Sequence, residues 1–270
     1  MGHKFLPRAA VWAVVGGAIW LSAGAIAAES PDAKLRAIVA GEHRSDASKA
    51  RDQYRHPVET LTFFGLKDTM TVVELWPFGG WYTEILAPYL RDHGKYYAAA
   101  SGSGSEMARY DAQLKSMMAA NPKLFDKVIV NALVPGKNPI APPGSADLVV
   151  TFRNIHNWMR AGIDKAVFEE AFRALKPGGI LGVVEHRADP NPTGMPAGYV
   201  SEADAIALIQ SAGFKLVAKS EINANPKDTK DYPKGVWTLP PSYSQGDKDR
   251  EKYAAIGESD RFTMKFQKPK

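Results

Sequence analysis

The stretch Thr71-Val72-Val73-Glu74-Leu75-Trp76-Pro77-Phe78-Gly79-Gly80-Trp81-Tyr82-Thr83 restricts the fold more than any other part of the chain. Thr71–Leu75 is an apolar, β-branched run that closes in a carboxylate and a leucine. A Pro/Gly turn follows, and then a helix-forming run, Tyr82-Thr83-Glu84-Ile85-Leu86-Ala87. A strand buried on both faces that turns tightly into a helix is the opening half of a parallel β-α-β unit.

The rest of the chain repeats that alternation. Strands are expected at Lys95–Ala99, Lys127–Asn131, Ala146–Phe152, Ile180–Val184, Phe214–Ile222 and Arg261–Phe266. Helices are expected over Gly80–Arg91, Glu106–Ala120, Ile163–Leu175 and from the Ser201 cap to Ala212, where Gly213 ends the last of them. This spacing predicts an α/β fold: a doubly wound, mostly parallel sheet of seven strands with helices on both faces. Two short helical segments precede it, one starting at Ser30-Pro31-Asp32 and one over Ser45–Arg55, stopped by His56-Pro57. Both read as charged elements that bury little. Asn223–Gly257 has a different composition, with Pro226, Pro233, Pro240, Pro241 and the aromatics Trp237 and Tyr243. It predicts a long loop laid against the sheet's carboxyl edge, a place where long loops are usually functional.

The N-terminus carries a separate message. Lys4 and Arg8 precede an uncharged run from Ala9 to Ala28, and Ala25-Ile26-Ala27 fits a small-residue cleavage site. The expected organisation is therefore a signal peptide over 1–28, a helical extension over 29–57, a core over 58–222, and a loop or lid with the last strand over 223–270. Export to the periplasm follows, with no stable membrane insertion after cleavage; the alternative is an anchor formed by the same segment left uncleaved. Loss of Lys4 and Arg8 lowers the formal charge from +5 to +3. That is mild, and no Lys/Arg block appears, so no nucleic-acid partner is expected. The chain has no cysteine, which excludes disulfides and thiolate chemistry.

Val72-Val73-Glu74-Leu75 with its glycine-containing turn, Asp147-Leu148-Val149-Val150, and Phe172-Arg173-Ala174-Leu175-Lys176-Pro177-Gly178-Gly179 resemble the ordered motifs of class I S-adenosylmethionine-dependent methyltransferases. More narrowly, Glu74-Leu75-Trp76-Pro77, Arg153-Asn154-Ile155-His156-Asn157-Trp158 and Gly235-Val236-Trp237-Thr238-Leu239-Pro240-Pro241 resemble a bacterial group of exported, methyltransferase-like proteins. The resemblance implies a Rossmann-like methyltransferase sheet and S-adenosylmethionine as cofactor, with a small-molecule substrate. It implies cofactor contacts at Glu74, Trp76, Gly79, Gly80 and Asn154. Trp76 and Phe78 stand where the family has its first two glycines, and strand two ends Tyr96-Tyr97-Ala98-Ala99-Ala100 with no carboxylate before Glu106.

The remaining candidates come from position and chemistry. Ligands of open α/β sheets sit at the carboxyl ends of the strands. His156 leaves strand four there, and an imidazole suits a general base; Asn157 and Trp158 beside it suit a substrate, as do Glu185, His186 and Arg187 after strand five. His156, Glu185, His186 and Asp189 lack a ligand spacing such as His-x-x-x-His, so no metal is expected. Two functions are compatible with these residues: a methyltransferase acting on a small molecule, or a non-catalytic ligand-binding or sensing protein on the same fold with a degenerate cofactor pocket. The oligomeric state is not readable.

Overall fold

The computed structural model of the chain describes residues 1–3, 31–101, 108–190 and 197–270. The expected signal segment falls outside the described residues apart from its first three positions, and so does Glu106. No helix among the described residues is long and apolar enough to cross a membrane.

The N-terminal part forms four helices, α1 (Pro31–Ala40), α2 (Asp46–Lys49), α3 (Asp52–Arg55) and α4 (Pro57–Phe64). Then β1 (Thr71–Leu75), α5 (Thr83–Leu90), β2 (Lys95–Ala100), α6 (Ala108–Ala120), α7 (Pro122–Phe125), β3 (Ile129–Ala132) and β4 (Ala146–Phe152) follow in order. The remainder is α8 (Ile155–Ala161), α9 (Asp164–Ala174), β5 (Leu175–His186), α10 (Glu202–Ser211), β6 (Lys215–Ser220), α11 (Arg250–Ile256) and β7 (Arg261–Gln267). The described strands make one seven-stranded sheet in the order β3-β2-β1-β4-β5-β7-β6. β3 through β5 pair in parallel, and β7 runs antiparallel to both β5 and β6.

Alternate residues of the central strands feed two cores, as a sheet covered on both faces requires. Val73, Leu75 and Val149 face α8, α9 and α10 through Trp158, Phe168 and Ile209. Val72, Leu148 and Val150 face α1, α4, α5 and α6 through Leu35, Leu61, Phe64, Ile85 and Leu114.

Three differences from the sequence expectation have clear causes. The first helix starts at Thr83 rather than Gly80, because Gly80 has φ +91° and its N–H donates back to the Pro77 carbonyl at 2.9 Å, closing a turn. Lys176–Gly179 does not simply precede a strand. Leu175 pairs with Ala146 and Ile180 with Leu148, so the intervening residues bulge from β5, and they are tied to the C-terminal arm by reciprocal bonds between Gly178, Gly179 and Lys268 at 2.9 Å. A helix not expected from the sequence, α8, begins directly after Asn154.

Within the Asn223–Gly257 stretch, Trp237, Pro241 and Ser242 stand beside the carboxyl ends of β1 and β4. Its anchors are buried amides more than aromatics: Asn223 donates to Thr60 and Thr263 at 2.9 and 2.8 Å, and Asn225 donates to the Ile256 and Glu258 carbonyls.

Candidate functional site

In this strand order the first reversal of direction falls between β1 and β4, the switch point at which open α/β sheets hold ligands. A cleft of about 630 Å³ opens there. Its floor is the ends of β1 and β4; its walls come from the Trp76–Tyr82 turn, from α2–α3, from α6 and α8, and from the Trp237–Ser242 segment.

The turn is unusual in its main chain. Trp76 and Phe78 adopt left-handed φ of +46° and +51°, and Gly80 follows at +91°. For an L-residue with a bulky side chain that conformation costs about 1–2 kcal/mol. The glycine-like backbone is therefore kept although the glycines are not. The rings of Trp76, Phe78 and Tyr110 meet edge to face, with centroids 6.2 and 5.1 Å apart, and make an aromatic wall. Gly79 is exposed on the cleft, and a Cβ there would meet only the Gln113 side chain. Gly80 differs: a Cβ would collide with Met117 and Leu114, so its lack of a side chain serves the packing of α6.

Glu74 sits on the floor, buried, accepting hydrogen bonds from the Thr83 hydroxyl at 3.1 Å and from the Tyr96 hydroxyl. Burial pushes its pKa up to about 7, and the bonds from Tyr96 and Thr83 hold it from rising further. The folded pKa thus lies above the ordinary value, so the stabilisation this group gives is full in acid and is lost as the pH rises through about 7. The span is on the order of 3 kcal/mol. Urea unfolding of wild type and Glu74→Gln between pH 5 and 8 should therefore show wild type losing stability relative to the variant as the pH rises. Parallel curves would refute it.

At the other side of the switch point, Glu185 closes β5 with no exposure to solvent. One carboxylate oxygen accepts the Ile155 N–H at 2.6 Å and so caps α8; the other accepts the His186 N–H at 2.8 Å and lies 3.1 Å from His156 Nδ1. With Nδ1 donating to Glu185, the nitrogen left to His156 for chemistry is Nε2. This side chain lines the cleft, with the Trp237 ring edge-on at 5.7 Å.

Of the residues expected to bind, Glu74, Trp76, Gly79, His156, Asn157 and His186 line the cleft. Others lie elsewhere. The Asn154 amide donates to the Leu75 carbonyl at 2.9 Å and the Thr151 hydroxyl at 3.1 Å, clamping β1 to β4 beneath the cleft. Trp158 is fully buried between Trp76 and Phe168. Glu185 stands behind His156. Arg187 is tied to Glu202, Glu221 and Asp260 and does not line the cleft. At the end of β2 the acid is Asp111, which the sequence pattern did not single out; it accepts from the Ser101 N–H at 3.2 Å and hydroxyl at 3.0 Å.

His156, Glu185 and His186 do converge, with ligand-type atoms within 4.8 Å of one another. Burial, His156, Arg261 and Arg153 push the His186 imidazole well below its ordinary pKa, which keeps the ring neutral, and Glu185 accepts from two backbone N–H groups.

The arginines were not expected from the sequence. α3 and the residue before it, read as solvated, bring Arg51 and Arg55 to the cleft beside Arg153. Arg55 is buried, its guanidinium 4.4 Å from the centre of the Trp81 ring, and burial brings its pKa down to about 10. A signal existed: Arg51 and Arg55 are like charges four residues apart, an arrangement that an isolated helix disfavours and a counter-charge must offset.

No family model matches the chain, and no curated protein matches it in sequence. Solved structures do match in shape. A SAM-dependent methyltransferase from Aquifex aeolicus is 19% identical over 83% of this chain and 99% of its own, with a TM-score of 0.56. The [4+2]-cyclase SpnF is 17% identical over 85% of this chain and 84% of its own, at 0.57. The 1,6-didemethyltoxoflavin-N1-methyltransferase of Burkholderia thailandensis is 13% identical over 83% and 82%, at 0.51. The order β3-β2-β1-β4-β5-β7-β6 is that of the class I methyltransferases. The chain has the class I methyltransferase fold. At these identities the likeness establishes the fold and leaves the reaction to the site.

Proposed function

We propose that this chain is an S-adenosylmethionine-dependent methyltransferase acting on a small molecule held in the cleft. The observation that carries the reading is the turn after β1, where Trp76, Phe78 and Gly80 all keep a left-handed backbone. Strain of that kind survives where a site requires the shape. The residues present fit the cofactor by stacking. Trp76 and Phe78 offer ring faces to a cationic or aromatic group, Gly79 allows close approach, and Glu74 provides a carboxyl at the floor. Trp76 Nε1 and Asn154 Oδ1 are buried without a hydrogen-bond partner among the described residues, a donor and an acceptor left open at the turn. When bound, the cofactor supplies an electrophilic methyl group on a sulfonium. The chain's part is to position an acceptor opposite it and to take the acceptor's proton at His156 Nε2, with Glu185 fixing the tautomer. Export of the mature chain is part of this reading and rests on the Lys4–Ala28 pattern alone.

A second reading, a ligand-binding protein without catalysis, has one observation in its favour. Both Asp111 oxygens are engaged by Ser101, so among the described residues the end of β2 offers the cofactor's ribose no free carboxylate. Nor does a shape of this kind dictate methyl transfer, since SpnF, which shares it, is a [4+2]-cyclase.

Calorimetric titration with S-adenosylmethionine and S-adenosylhomocysteine separates the two. Saturable binding is expected, and Phe78→Gly should weaken it by about tenfold through loss of the stacking ring. No heat and no thermal stabilisation at millimolar ligand would sink the methyltransferase reading. Tighter binding by Phe78→Gly would mean that the ring plugs the pocket rather than lining it.

A further inference from the structure

We propose that Arg51, Arg55 and Arg153 form an anion-binding end of the cleft, and that the small molecule held there carries a carboxylate or phosphate group. Calling that molecule the methyl acceptor rests on the function proposed above; the anion site itself rests on geometry.

Three guanidinium groups line this end of the cleft. Arg51 places Nε 2.5 Å, and Arg55 3.3 Å, from the one carboxylate behind them, Glu258, which also takes Arg261. Glu258 is buried, and both its oxygens are used by these contacts. The terminal nitrogens remain: Arg51 Nη2 and both Arg55 Nη atoms are buried with no hydrogen-bond partner among the described residues. Arg153 goes further. Among the described residues its side chain makes no hydrogen bond or ion pair, although it follows β4 directly and lines the cleft, half-buried, with φ at +63°. Burial and the neighbouring Arg55, Arg51 and Arg261 all act against its charge.

Buried guanidinium groups in excess of their counter-ions are costly unless something completes them. The other two carboxyls lining the cleft are engaged elsewhere, Glu74 by Tyr96 and Thr83 and Glu84 facing Arg44 at 3.7 Å. What is missing is an acceptor with several oxygens, and the planar fork of arginine suits carboxylate and phosphate above other groups. The Trp81 face fixes the Arg55 plane from behind. The site is therefore built for an oxyanion rather than merely positive at its surface.

The test is thermal unfolding of the protein at constant ionic strength, with chloride exchanged for phosphate in one arm and for succinate in the other. A saturable rise in Tm is expected in one arm or both, and the difference between arms assigns the group. Arg153→Asn, chosen because asparagine tolerates left-handed φ, should raise the Tm in chloride and weaken the anion response by about tenfold. Arg51→Gln, whose side chain is partly exposed, provides a second variant with the same expected loss of response. Equal behaviour in chloride, phosphate and succinate would overturn the proposal, and so would wild-type responses in both variants. Abolition of the response by saturating S-adenosylhomocysteine would also overturn it, by giving the arginines to the cofactor's own carboxylate. An intact anion response with no binding of S-adenosylhomocysteine would sink the methyltransferase reading alone.

Discussion

Replacing Glu258 with glutamine is expected to cost about 3–5 kcal/mol of stability, the range for removing one partner of a buried ion pair. This carboxylate is buried and sits among the Arg51, Arg55 and Arg261 guanidinium groups. Burial alone would raise its pKa; Arg55, Arg261 and Arg51 outweigh burial and hold it well below the ordinary range. Glutamine keeps the volume and removes the charge, leaving several buried cations facing one another. The sign of the pH effect follows. A folded pKa below the unfolded one means that the stabilisation is present above the ordinary carboxylate range and is lost as the pH falls through the folded value. Wild type should therefore show an acid limb in its stability that Glu258→Gln lacks. Urea melts of both proteins from acid to neutral pH measure this directly. A loss below about 1 kcal/mol, the size of an average substitution, would show that Glu258 does not hold the cluster.

The second large effect concerns the His156–Glu185 pair. If His156 takes the acceptor's proton, His156→Ala should lower kcat by about 10²–10⁴-fold, the usual contribution of a general base. Glu185 acts through His156 and is a positioning residue, so Glu185→Gln is expected to lower kcat while leaving KM nearly unchanged. Release of S-adenosylhomocysteine with small organic acids and phosphate esters as acceptors is the assay. Full activity in His156→Ala would remove the base from the mechanism. An unchanged kcat in Glu185→Gln would reduce that residue to a cap on α8.

The fold was legible because it is written in local patterns. Val72–Leu75, Leu148–Val150 and the helix before Lys176 each carry their own period, and alternation does the rest. The placement of His156 and Glu74 at one edge followed from topology, since Glu74 lies at the end of β1 and His156 in the first turn of α8, just after β4. The arginine cluster was not legible in the same way. Arg51 and Arg55 come from an N-terminal segment, Arg153 from the end of β4, and Glu258 and Arg261 from the last part of the chain. Their meeting depends on how the N-terminal helices dock, through Trp81 donating to the Ser48 carbonyl at 3.1 Å and the Tyr82 hydroxyl donating to the Arg55 carbonyl at 3.4 Å. No periodicity records contacts of that range. Trp158 misled for a simpler reason: a side chain near the carboxyl edge can point into the core as readily as toward a ligand.

The position of β7 also orders events in time. Arg261–Gln267 is the last strand along the chain, yet it lies inside the sheet, between β5 and β6. The same stretch carries Arg261, lies just beyond Glu258, and leads to Lys268, which pins the loop before Ile180. Neither the sheet nor the charge cluster can be completed while the C-terminal part is still being synthesised or threaded. Until Arg261–Gln267 is in place, β5 keeps an open edge and β6 has no neighbour to pair with, so closure of the sheet and neutralisation of the arginines wait on the same segment.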